Sequence, residues 1–187
     1  NSPVLEPAFL YGGYPPRGLR HKFLMAQESR AERLTQEGLQ DGLELISLPG
    51  HYFDMVGFRT KDDVVYLADC LSSERTLEKY QIGFIYDVEA YLNTLQRVME
   101  MRAAMFVPAH APATENISAL AQLNMNKVHE IADQILKVCA VPVCFEDVLQ
   151  QLFHAYHLEM DMQQYVLVGS TVRSYLAWLK DMGRLDI

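Results

Sequence analysis

LPGHYFDMVGFRTKDDVVYLADCL, Leu48 to Leu71, is the stretch that decides the fold. Pro49-Gly50 ends a weakly alternating strand that runs from Leu43 to Leu48. Met55 to Thr60 reads as a second short strand, and Lys61-Asp62-Asp63 as a charged hairpin turn. Val64 to Ala68 is a continuous apolar run, the pattern of a strand covered on both faces. Downstream the period changes. Val88, Tyr91, Leu92, Leu95, Val98 and Met99 recur at spacings of three and four, which is one face of a helix. Ala104 to Val107 is a short buried strand stopped by Pro108, and Leu120, Leu123, Val128, Ile131, Ile135 and Val138 mark a long helix. This order of strands and helices predicts an α/β fold.

Upstream, residues 1–20 are rich in Pro, Gly and Tyr and read as a loop broken at Gly12-Gly13 and Pro15-Pro16. His21 to Arg33 is read as a short helix or an irregular flap, and Gly38 and Gly42 bracket a turn. From Ala140 onward the pattern is helical. Val148, Leu149, Leu152, Phe153 and Tyr156 form one stripe; Tyr165, Val168, Val172, Leu176 and Leu179 form another, closed by Gly183 as a C-cap. The tail reads as three helices ending where a winged-helix module would begin its wing. We therefore divide the chain into 1–138 and a helical tail, 139–187.

Half of the 187 residues are hydrophobic, enough for a real core, and the formal net charge is −8. That charge argues against a nucleic-acid or anionic-membrane binder, which must supply positive charge to phosphates. The tail, with Arg173, Lys180 and Arg184 against six acidic residues, is itself acidic. Three cysteines without pair spacing, Cys70, Cys139 and Cys144, predict a reducing, cytoplasmic setting. No apolar run approaches the roughly 20 residues of a membrane span.

Three polar residues stand at predicted strand ends: His51 after the first strand, Asp69 after the buried run, His110 after the fourth. Ligands of open α/β sheets collect there, and two imidazoles with a carboxylate are a divalent-metal donor set. Singly, each has a plainer reading: a turn residue, a helix cap, a loop residue held by the backbone. Their order and shared strand-end position carry the case. Phe9, Tyr11 and Tyr14 are weaker candidates for a substrate pocket, with packing of the first loop as the plainer reading. Cys70, beside Asp69, reads as a small buried residue before a redox-sensitive thiol. Trp178 lies off its helix's main stripe and is read as a contact surface. His154 and His157, three apart in the tail, read as surface residues.

The Leu48–Leu71 stretch resembles a metal-binding stretch of the metallo-β-lactamase superfamily: a Pro-Gly-His turn, a hairpin, a strand ending in aspartate, then a helix. FVPAHAP, around His110, resembles that family's final histidine loop, with Ala109 and Ala111 in place of glycines. The resemblance covers residues 43–138 well and the tail loosely. It implies a partial αββα sandwich, with 1–138 as the later portion of the domain. It implies that His51 completes a first metal site, Asp69 bridges two ions and His110 belongs to the second. The family's His-x-His-x-Asp-His motif is absent: none of His21, His51, His110, His129, His154 and His157 forms it. With the non-Met first residue, this leads us to expect an N-terminally truncated fragment, inactive as given and a weak metal binder.

The function expected for the parent protein is metal-dependent hydrolysis of a small-molecule substrate, with zinc first and iron or manganese as alternatives. A flavodiiron-like redox protein and a non-catalytic partner-binding module are the other readings. A homodimer is the expected assembly hazard of an exposed sheet face or edge.

Overall fold

Four short strands make one sheet in the order β1-β2-β3-β4: β1 (Glu44–Ser47), β2 (Val56–Arg59), β3 (Val64–Tyr66) and β4 (Met105–Val107). The structure is a computed structural model and describes residues 3–27, 30, 32 and 34–186. β1, β2 and β3 form an antiparallel meander, and β4 adds parallel to β3. The expected hairpin turn is there: Asp63 takes φ 58° and Thr60 donates its N–H to the Val64 carbonyl. Between β3 and β4 the chain crosses over through α2 (Glu74–Tyr80) and α3 (Val88–Glu100), and α4 (Ser118–Val138) follows. This α/β order is the one read from the sequence.

The two sheet faces differ. Val65 and Phe106 pair across β3 and β4 and are buried with Leu95 and Val98 of α3 and Ala121 and Val128 of α4. The opposite face carries Leu45, Phe58, Tyr66 and Val107, paired in sequence across the sheet. None of these four is buried, and Tyr66 is 46% exposed. The run Val64 to Ala68 is therefore covered on one face only, not on both. It is also shorter than its apolar pattern: Ala68 turns to φ 46° and the chain enters a 3₁₀ turn over Ala68–Cys70.

The first loop is not all loop. Leu5–Tyr11 forms α1, with Pro7 in the first turn, where a missing N–H costs little, and Gly12 at φ 77° as its left-handed cap. The glycine that signalled a break ends a helix. What the local composition hid is the tertiary gain: Leu10, Leu19 and Leu24 bury against Val166 as a second small core. Residues 21–25 are turns; Glu28, Ser29, Ala31 and Arg33 of the expected His21–Arg33 element lie outside the described residues.

Beyond Ala140 there are two helices among the described residues, α5 (Phe145–Ala155) and α6 (Met162–Asp181), with α4 packed against both. Gly183, at φ 67°, donates to Lys180 O while Arg184 donates to Leu179 O, the paired bonds of a Schellman cap. Leu149, Leu152, Val172 and Tyr175 of these helices belong to the same buried cluster as the sheet residues. Trp178 is not a contact surface: it is 9% exposed and packs edge-on to Tyr175. His154 and His157 are exposed, as expected.

Two contacts fix the strand ends. Gly50 takes φ 121°, and a Cβ there would stand 2.3 Å from both Cα and N of Tyr91 on α3. Its carbonyl accepts the N–H groups of Tyr86 and Asp87, and Thr94 Oγ1 donates to Pro49 O. Asn124 of α4, 2% exposed, accepts from Ser72 N and donates to Ser72 O, closing both backbone groups of the turn after β3. Gly50→Ala should lower unfolding stability by about 3 kcal/mol or more, the combined cost of a left-handed alanine and an overpacked contact. Asn124→Ala should cost about 1–3 kcal/mol by leaving the Ser72 groups unpaired. Urea titrations check both; wild-type midpoints would remove these contacts from the account.

Candidate functional site

The parallel pairing of β3 with β4 brings Asp69 and His110 together. Tyr66 is level with Val107, the first chain then turns through the 3₁₀ stretch Ala68–Cys70, and pairing resumes between Ser72 and His110, so Asp69 stands on the turn beside the His110 loop. Bonding continues past the strands: Leu67 N donates to Val107 O, Ala109 N to Ala68 O, and Ser73 N to His110 O. His51 enters from the other side, on the Pro49-Gly50 turn that α3 clamps.

All three predicted residues meet. His110 Nε2 lies 3.3 Å from Asp69 Oδ1, and His51 Nε2 lies 3.9 Å from Asp69 Oδ2. Each carboxylate oxygen thus faces a different imidazole. The three do not close on one point, and among the described residues no group of three or more His, Cys, Asp or Glu side chains forms a ready metal cage. The donor chemistry nonetheless fits a divalent ion. Two ligands about 2.0–2.1 Å from a tetrahedral ion stand about 3.3 Å apart, which is the His110–Asp69 spacing. The His51–Asp69 pair is wider.

Burial pushes the His51 imidazolium down in pKa, outweighing the pull of the Asp69 carboxylate and a backbone hydrogen bond at Phe84; His110 adds to the lowering. A neutral imidazole is the form that ligates. The Phe84 ring packs edge-on to His51 with centroids 5.6 Å apart. Cys70 is fully buried and its thiol is pushed up to about 12, by burial first and by the Asp69 charge second. It is a protonated core residue, the plainer of its two readings.

Two spaces adjoin the trio. An open cleft of about 630 Å³ runs over His51 and Asp69, past Tyr52, Phe53 and Phe84. A small cavity of about 70 Å³ lies beneath, reached by Ser72, Lys127 and the buried Tyr175, whose hydroxyl has no partner among the described residues. Phe9 and Tyr11 line neither. They border a separate open cleft of about 770 Å³ between α1, α3 and α6, and Tyr14 stands exposed with its hydroxyl accepting from Arg20. The first segment therefore borders both clefts: Phe9 and Tyr11 lie beside α6, while Glu6 and Leu10 line the cleft over His51 and Asp69 and the Phe9 ring packs on Phe53.

Sequence reading missed Phe84, Asn124, Lys127 and Tyr175. Asn124 had a legible signal: it falls on the stripe Leu120, Asn124, Val128, Ile131, a polar residue on a buried face. The others reach the site from distant helices and loops and give no local sign.

No family model and no curated protein sequence matches the chain. Solved structures do match in shape. A metallo-beta-lactamase family protein from Thermus thermophilus superposes with TM-score 0.60 at 15% identity, covering 91% of this chain and 52% of its own. A beta-lactamase domain protein from Burkholderia ambifaria gives TM-score 0.64 at 15% identity, covering 86% and 50%. The chain spans about half the length of these structures. It has part of the metallo-β-lactamase fold, consistent with a partial αββα sandwich.

Proposed function

We propose that this chain supplies part of the centre of a metal-dependent hydrolase acting on a small-molecule substrate. The observation that supports the reading most is the Asp69 carboxylate, with each oxygen turned to a different imidazole. His51 with Asp69 Oδ2 would hold one ion, and His110 with Asp69 Oδ1 a second, so that Asp69 bridges the pair. Divalent ions held there, zinc foremost, supply Lewis acidity toward a water and toward the carbonyl or phosphoryl oxygen of a substrate. The chain's own residues do the positioning. The Gly50 clamp fixes His51, the backbone bonds of Ala68 and Ser73 to the His110 loop hold Asp69 beside His110, and Phe84 packs edge-on to the His51 ring. Burial lowers the His51 pKa and so favours the neutral imidazole, the form that ligates. No observation favours the redox or partner-binding readings over this one.

Two donors per ion is an incomplete set, so binding to this chain is weak. Zinc titration followed by equilibrium dialysis and elemental analysis should show two weak sites. Asp69→Asn should weaken both by at least about tenfold, the low end of what even outer-sphere changes cost. His51→Ala and His110→Ala should each remove one site and spare the other, with far-UV circular dichroism checking the fold. Zinc uptake that ignores Asp69→Asn would end this reading.

A further inference from the structure

The open cleft over His51 and Asp69 has a chemistry that the trio alone does not explain. Its wall is aromatic: Tyr52, Phe53 and Phe84 line it, with Tyr52 and Phe53 stacked edge to face at 4.7 Å and Tyr52 tilted over Phe84 at 6.5 Å. Tyr52 is 39% and Phe53 43% exposed, so these rings present surface to the cleft rather than to the core. Its rim is acidic. Glu6, Asp54 and Asp69 line the same space. Among the described residues that line the cleft there is no lysine or arginine. The volume, about 630 Å³, is that of a site for a drug-sized molecule.

We infer that this cleft binds an aromatic group bearing an organic ammonium, and that it excludes the corresponding anion. Ring faces attract a desolvated cation through their quadrupoles, and the carboxylates of Glu6, Asp54 and Asp69 add the complementary charge. Because the cleft opens on His51 and Asp69, the inference names the substrate class of the proposed hydrolase and rests on that reading for its catalytic meaning. The binding itself requires neither metal nor turnover.

The experiment compares three probes of one skeleton on the intact chain: benzylamine, benzyl alcohol and benzoate, each titrated without metal by ligand-observed nuclear magnetic resonance. Benzylamine should bind tightest and benzoate at least about tenfold more weakly. The double variant Glu6→Gln, Asp54→Asn, which leaves Asp69 as the remaining carboxylate of the cleft, should lower the preference for benzylamine over benzyl alcohol while leaving benzyl alcohol binding unchanged. Phe53→Ala, at a half-exposed ring, should weaken benzylamine and benzyl alcohol together. Benzoate binding as tightly as benzylamine, or a charge preference unchanged in the double variant, would overturn the inference. In Asp69→Asn, where zinc uptake is weakened, benzyl alcohol binding should persist and the preference for benzylamine should fall by less than in the double variant; a preference lost with Asp69 alone would also overturn it. Normal probe selectivity with no zinc uptake by the wild-type chain would defeat the hydrolase reading and leave the cleft intact.

Discussion

The backbone ladder between β3 and β4 is the constraint on which the rest of the site depends. Three hydrogen bonds continue it beyond the strands: Leu67 to Val107, Ala109 to Ala68, and Ser73 to His110. They turn a register into a site. Past Tyr66 and Val107 the first chain swings out through the 3₁₀ turn Ala68–Cys70 and pairing resumes between Ser72 and His110, so the ladder brackets the turn that carries Asp69 and holds it against the His110 loop. A slip of one residue would shift that turn along the His110 loop and send Val65 and Phe106 out of the core that α3 and α4 cover. Hydrophobic burial therefore protects the polar geometry.

His51 cannot use that ladder, because it leaves the sheet from the outer strand β1. Its place depends on a relay from the tail helix. Ile85 N donates to Thr171 Oγ1, and Ser174 Oγ donates to Tyr86 O, so α6 holds the loop between α2 and α3. That loop donates from Tyr86 and Asp87 to Gly50 O and carries Phe84 to the His51 ring. Loosening α6 would be felt at His51 before it was felt at Asp69 or His110.

The strand ends were legible because their signals are local. A Pro-Gly turn, an apolar run ending in Asp69 and a strand stopped by Pro108 each announce themselves within a few residues. The meander and its charged turn were legible for the same reason. What the sequence hid is tertiary. Helix α1 forms in loop-like composition because Leu10 finds Val166, about 150 residues on. Val64 to Ala68 read as doubly covered because apolarity does not say how many partners a face has. Trp178 lies off its helix's stripe, yet α6 is buried on more than one side. Thr171 and Ser174 look like ordinary helix positions until the loop they hold is in view.

Two features of the structure stand without partners among the described residues. A sheet with Leu45, Phe58, Tyr66 and Val107 on a face that no helix of the described residues buries is half of a layered arrangement, since apolar layers are stable only when something covers them. Under the proposed function, a carboxylate flanked by two imidazoles would likewise be half of a coordination set, because a tetrahedral ion takes four donors and each pair here gives two. Both gaps belong to a chain that spans about half of the structures it resembles. The donors present are also the ones the sheet can fix by its own hydrogen bonds and one glycine contact. Under the proposed function, metal affinity would be limited by donor number, while the placement of His51, Asp69 and His110 is set by the fold. Adding ligands should therefore raise affinity without any need to reorganise His51, Asp69 or His110.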